Sequence, residues 1–393
     1  EESFQRQKME APPPVYLDYN GTTPLDDAVS AAMLPYLQGR FGNPSSGHWF
    51  GVKEKEAVAG ARADVALLIG ADPAEISFTS GGTESVNWAI KGCCSHLPPG
   101  KGRHLVVSSV EHVVVMECAK YLQDKEGYEV TYVPCDAEGR VSPADVEAAL
   151  RPETVLVSIM HANNETGTIN DIASMAKACR ARGILFHTDA SQSVGKVHVD
   201  VKALQEVDML TIAGHKLYAP AGIGALFVRA DARARLGTFM HGAGQEGGRR
   251  AGTENVILIA ALGAACRAAY QDQDRKVAAL AATRDLLWAE LSKAVPDLIL
   301  NGSPDHRLPN TLNVSFPTRL PTSAVLLAAI SKDVAASAGS ACHSDRVAIS
   351  HVLAAMGVDA PRAARAVRFF TGRFTSKEEI VKAAAAVIAA TSS

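Results

Sequence analysis

Four short clusters in this sequence combine residue types that could do chemistry together. Ser80-Gly81-Gly82-Thr83-Glu84-Ser85 joins glycines and a hydroxyl at the start of a helical stretch. Glycines let a backbone approach an anion closely, and a helix start offers unpaired N–H groups, so Gly82 and Thr83 could cradle a phosphate. A plain helix cap is the alternative reading. Glu111-His112 follows an apolar run and supplies an imidazole whose role depends on its surroundings. His187-Thr188-Asp189-Ala190-Ser191-Gln192 sets a carboxylate just past another apolar run. Such a carboxylate is costly unless it meets a cation, for example a protonated pyridine nitrogen. Gln192 could then reach a phenolic oxygen of the same ring, although Asp189 could also simply cap a helix. Ala213-Gly214-His215-Lys216 ends a further run in a lysine. Partial desolvation there would lower its pKa and make it a Schiff-base amine, whereas most lysines are solvated. Each cluster is weak alone. Together they offer a phosphate cup, a ring stacker, a pyridinium partner and a Schiff-base lysine, the set that pyridoxal 5'-phosphate (PLP) requires.

The elements that must position these groups follow from the hydrophobic pattern. Runs at 76–79, 105–109, 155–160, 184–187, 209–213 and 225–228 read as strands, and 84–93, 113–125 and 172–182 as helices. This alternation predicts an α/β fold with a mostly parallel sheet, whose ligands bind beyond the carboxyl ends of the strands. After Thr253 the texture changes. Residues 256–295 read as long helices, 311–316 as a strand, and 324–331 and 378–390 as helices, which makes a second, smaller α+β domain. The expected division is a large PLP-binding domain over 25–273 and a small domain from 1–24 and 274–393. Gly242-Ala243-Gly244-Gln245-Glu246-Gly247 matches a dinucleotide fingerprint, but no strand and helix flank it, so a cofactor-site or dimer-contact loop is expected instead. Ser337 to Asp345 surrounds Cys342 with small residues. That composition suggests an exposed loop and makes Cys342 a candidate nucleophile.

The bulk composition narrows the class. With 393 residues, 47% hydrophobic and 21% charged, the chain is globular and long enough for two domains. A net charge of −3 gives no basic footprint for nucleic acid, and no apolar run approaches a membrane span. Seven cysteines at irregular spacing argue against a disulfide framework or a structural zinc site. A reducing, cytoplasmic setting is expected, with an organelle left open. Residues 1–14 are polar and then Pro-rich, an arm rather than a signal peptide, and a removed leader stays open.

Residues 16–24, 41–46, 78–85, 162–167, 187–192, 214–216, 249–255 and 340–342, in this order, carry a resemblance that spans nearly the whole chain. The sequence resembles the cysteine desulfurases and selenocysteine lyases of the class V aminotransferase fold. The resemblance implies PLP fold type I and a homodimer. It implies that Lys216 holds the cofactor, His112 stacks on its ring and Asp189 pairs the ring nitrogen. Gln192 and Asn164 would serve the phenolic oxygen, and Gly82, Thr83 and His215 the phosphate, with Thr253 reaching across from the partner subunit. Asn43 and Arg368 would clamp the substrate carboxylate, a task that suits the planar fork of an Arg. The freed Lys216 would remove the α-proton, His112 would serve as proton donor or acceptor, and Cys342 would attack the sulfur or selenium. The products would be alanine and a Cys342 persulfide or reduced selenium, destined for an acceptor protein.

Some positions depart from the pattern. Ala213 stands where relatives often carry Ser, and Phe370 where a Ser is common. Cys342-His343-Ser344-Asp345 looks more like the selenocysteine lyases. Ser350-His351-Val352-Leu353 and the 249–255 stretch look like desulfurases. The resemblance therefore leaves the substrate open between L-cysteine and L-selenocysteine. Another fold-type I PLP enzyme, such as an aminotransferase, or a non-catalytic sulfur-relay scaffold are the competing readings.

Overall fold

The computed structural model describes residues 13–97, 102–338 and 349–391. Cys342 lies outside the described residues.

Seven strands form the central sheet. Across it they run Ile76–Thr79, Gly224–Val228, Met209–Ala213, Leu185–Asp189, Thr154–Ser158, His104–Ser108 and Glu129–Val133. Gly224–Val228 is antiparallel to both neighbours, and every other pairing is parallel. The expected mostly parallel α/β architecture is therefore present. Five of the seven strands are five residues long and buried on both faces, which is why they read as continuous apolar runs. Alternation divides them between two helical layers. Leu105, Val107, Leu156, Met209 and Leu226 pack under the helices Gly82–Ser95 and Val113–Glu126. Leu210, Ile212 and Phe227 face the helices Trp49–Ile69 and Val256–Tyr270, while Val106, Val157 and Phe186 face Ile172–Arg180. Phe186 and Phe227 are fully buried, each burial worth roughly 1.5–3 kcal/mol.

The remaining segments build a smaller layer. Ser337–Ala338, Ala366–Phe370, Thr311–Ser315 and Ile299–Leu300 form an antiparallel sheet. Val15–Tyr16 pairs in parallel with Val334–Ala335, so the start of the described chain joins this part. Leu287 and Leu291, Leu326 and Ile330, and Ile380 and Val387 bring three helices onto one core.

The stretch 256–295, read as long helices, is two helices, Val256–Tyr270 and Gln273–Ala294, which meet at Asp272, whose φ is +50°. Two local readings change. Glu129–Val133 was not anticipated: it is a half-exposed edge strand, and its polar residues mask the pattern. The helix predicted from Glu84 begins at Gly82, which puts Gly82 and Thr83 in its first turn.

Candidate active site

The carboxyl ends of the parallel strands open into a cavity of about 400 Å³. Gly82, Thr83, His112, Asn164, Asp189, Gln192, His215 and Lys216 all line it, so eight of the proposed site residues converge.

The anion end is built by backbone. Gly81 takes φ +151° and ψ −178°, a conformation suited to glycine, and among the described residues no side chain caps the Gly82–Ser95 helix. Its first N–H groups are left to face the cavity. Gly224 must also be glycine, because a Cβ there would come within 2.7 Å of the Gly81 carbonyl carbon. Glu84, in the same turn, accepts from Ser80 N and is gripped by Arg250 at 2.7 and 3.1 Å. Burial alone would raise its pKa, but the Arg250 and Ser80 hydrogen bonds outweigh that and hold it below the usual carboxylate range.

Lys216 closes the short 3₁₀ turn Gly214–Lys216 after Met209–Ala213. The turn is tight: a Cβ on Gly214 would lie 2.7 Å from the Ile223 carbonyl oxygen. Tyr218 follows with a φ of +65°, held in place because its N–H donates to Thr23 Oγ1 at 2.9 Å. Lys216 Nζ donates to the carbonyls of Asn20 and Gly21. Burial lowers its pKa to about 8, with Asp18 and Asp189 pulling the other way and Arg368 adding to the fall. Such an amine is available as a nucleophile near neutral pH.

Asp189 ends its strand, and its Oδ1 accepts from Ser191 N at 2.9 Å. Beside it, His187 is buried between Ser158 and Thr211, and burial pushes its pKa down to about 4. His112 caps the Val113–Glu126 helix, its Nδ1 accepting from Val114 N at 3.2 Å. Burial lowers the His112 pKa against the pull of Asp189, which keeps the ring neutral and free to stack. His215 lies near Thr22, and burial, with Lys216 and His112 beside it, brings it down to about 4. An amine, a carboxylate, a neutral imidazole and a helix N-terminus around one cavity fit an aldehyde-bearing phosphorylated pyridine.

Comparison with known proteins agrees. The profile of Aminotransferase class-V matches residues 15–382. The cysteine desulfurase IscS of Pseudomonas aeruginosa is 46% identical over 382 residues, covering 96% of this chain and 93% of that protein. The chain belongs to the cysteine desulfurase branch of the class V aminotransferases. The IscS of Anaeromyxobacter sp. is also 46% identical, over 93% of this chain and 90% of its own. Among solved structures, a NifS-like protein superposes with a TM-score of 0.89 at 33% identity, covering 96% of this chain and 99% of its own. A second, SspA in complex with cysteine, gives 0.79 at 36%, covering 92% and 99%. Fold type I and PLP dependence follow from this family membership, and the chain is an enzyme.

Other proposed residues of this family member lie outside the cavity. Arg368, on Ala366–Phe370, stands beside it: Nη1 is 3.5 Å from Glu165 Oε1, and the guanidinium acts on Lys216 and Asp18. Asn43 is exposed, its Oδ1 accepting from Ser45 N, and Thr253 is exposed in the segment before Val256–Tyr270. The Gly242–Gly247 stretch is a loop in which Glu246 grips Arg62 at 2.8 and 2.9 Å, as expected of a segment that is no dinucleotide fingerprint.

Sequence reasoning missed four residues that this site uses. Asn20, Glu111, Glu165 and Lys196 are all buried and polar. Glu111 adjoins His112, and Asn20 and Glu165 lie in the stretches that carry the family resemblance; nothing in the spacing marks Lys196.

Proposed function

We propose that this chain takes the sulfur of L-cysteine, releasing L-alanine and leaving a persulfide on Cys342. The observation that carries the reading is the half-desolvated Lys216 amine in one cavity with Asp189, His112 and an uncapped helix N-terminus. Lys216 Nζ would bind the PLP aldehyde carbon, Asp189 the ring nitrogen, and the Gly82–Thr83 backbone the phosphate, with His112 across the ring face. Gln192 and Asn164 would serve the phenolic oxygen. When bound, PLP supplies an electron sink for the pair left on the substrate's α-carbon.

The chain's own groups do the rest. Arg368 takes the substrate carboxylate. Lys216 Nζ, freed as an amine, takes the α-proton, a task its lowered pKa suits. His112 holds or delivers a proton near the leaving sulfur. The Cys342 sulfur, its thiol proton given up, attacks the substrate sulfur: an S–S bond forms, the substrate C–S bond breaks, the β-carbon gains a proton, and Lys216 Nζ returns the α-proton, which completes alanine. The persulfide then awaits an acceptor protein. Thr253, exposed and away from its own cavity, supports a homodimer in which it serves the partner's phosphate site. The Cys342-His343-Ser344-Asp345 run favours a second substrate, L-selenocysteine, at the same site.

The test measures alanine release from L-cysteine and L-selenocysteine side by side, in the parent chain and in Cys342→Ala. Loss of alanine from L-cysteine in the variant is expected, with selenocysteine turnover less affected because selenium leaves more readily. Undiminished desulfuration by Cys342→Ala would remove that thiol from the reaction.

A further inference from the structure

Lys196 is a buried lysine that no carboxylate contacts among the described residues. It follows the turn after the strand Leu185–Asp189 and is carried by the same chain segment as Gln192. Its Nζ lies 2.7 Å from Gln192 Oε1 and 2.8 Å from Asn20 Oδ1. Two amide oxygens are thus its hydrogen-bond partners. Burial first, and Lys216 after it, push its pKa well below the ordinary lysine value; His215 is the other titratable group that faces it.

An amine that aims its N–H groups at an amide draws the amide oxygen toward itself, as both contacts of Lys196 show. Gln192 must turn Oε1 to Lys196, so its NH₂ points the other way. Nε2 donates to the Asn20 carbonyl at 3.1 Å, and the side chain lines the cavity. Asn20 is fixed in the same manner. Its Oδ1 accepts from Lys196 and, at 3.0 Å, from Asn310 Nδ2. Its Nδ2 then donates to Thr311 Oγ1 at 2.9 Å and to the Asn164 carbonyl at 3.3 Å. The Asn20 carbonyl also receives Lys216 Nζ. One buried amine therefore sets the polarity of a network joining Gln192, Asn164 and Lys216 to the smaller layer.

We propose that Lys196 is a positioning residue for the cofactor's phenolic-oxygen side, acting by fixing Gln192 as a hydrogen-bond donor into the cavity. The inference rests on the reading that Gln192 serves that oxygen. A donor there stabilises the phenolate and so makes the proton on the Lys216–cofactor linkage easier to lose. An amide free to turn over would present its oxygen instead and repel the phenolate.

The test follows the visible absorption of the holoenzyme against pH in four proteins: the parent, Lys196→Met, Gln192→Leu and the double variant. Lys196→Met should raise the midpoint of the absorption change by about one pH unit, the size of one hydrogen bond to a charged oxygen. Gln192→Leu should raise it similarly, and the double variant should match Gln192→Leu alone. An equal further rise in the double variant would show a direct charge effect and overturn the proposal, as would an unmoved midpoint in Lys196→Met. Lys196→Gln keeps N–H donors on its amide but adds an acceptor oxygen and should fall between parent and Lys196→Met; it carries the test if the methionine variant does not fold. A parent chain that shows no visible absorption with PLP would instead sink the cofactor reading itself, and this inference with it.

Discussion

The two sides of the cavity are built differently. On the sheet side, each functional group sits on the last residue of a strand or the first turn after it, and its polar partners lie close by. Asp189 is tied by Ser191 N, His112 by Val114 N, and Gly81 by the backbone it packs against at Gly224. On the side of the smaller layer, Arg368 sits mid-strand, and its nearest carboxylate oxygen is 3.5 Å away on Glu165. Its Nε has no hydrogen-bond partner among the described residues. Glu165 is itself shared, since its Oε2 accepts from Ser350 Oγ at 2.7 Å. The sheet side is preorganised for a resident group, and the Arg368 side keeps donor capacity in reserve for a carboxylate that comes and goes.

The sharpest way to break this contrast is to damage each side and ask what fails. Lys216→Ala should abolish the visible absorption of bound PLP and reduce alanine formation by about a thousandfold or more. If the purified variant keeps that absorption, another amine holds the cofactor. Arg368→Gln should do the converse, keeping the cofactor absorption while the KM for L-cysteine rises about 10- to 100-fold, the loss of a charge-assisted pair. Equal losses of cofactor and substrate affinity would show that the two sides are not separable. A smaller effect is expected from Arg250→Gln. It leaves the half-buried Glu84 carboxylate at the anion end without its cation and, among the described residues, held by Ser80 alone, and PLP binding to the cofactor-free chain should weaken about tenfold. Fluorescence titration with PLP measures it, and unchanged affinity would make the Arg250–Glu84 pair a loop anchor without influence on the phosphate site.

The same contrast explains what the sequence made legible. The sheet side was readable because each group follows an apolar run directly, so position in the chain implies position in space. Lys216, Asp189 and His112 were found that way. The Glu129–Val133 strand escaped because an edge needs no apolar face. Arg368 had no local signal at all; the family resemblance supplied it. Its carboxylate partner, Glu165, lies in another layer and 203 positions earlier. Lys196 was invisible for the same reason, since its meaning lies in Asn20, 176 positions away. Polar networks that close between distant segments leave no periodicity to read.

The finest test of a preorganised sheet side is Glu111, beneath His112. It is fully buried, with Oε1 accepting from Ser108 Oγ at 2.6 Å and Met160 N at 2.8 Å, while Oε2 has no partner among the described residues. Burial raises its pKa to about 8, opposed by those two hydrogen bonds and assisted by Asp189. In the unfolded chain a Glu titrates near 4.3. Between these values the folded state holds a proton that the unfolded state has lost, so this group makes stability fall as pH rises from about 4.3 to 8. Gln mimics the protonated acid and removes that slope. Glu111→Gln should therefore match the parent in Tm at pH 5 and exceed it by a few degrees at pH 8, on the order of 3–4 kcal/mol. Thermal melts of the cofactor-free chain across that range measure the difference. Parallel curves would mean that Glu111 is charged in the fold, and that the floor under His112 and Asp189 carries a second negative charge.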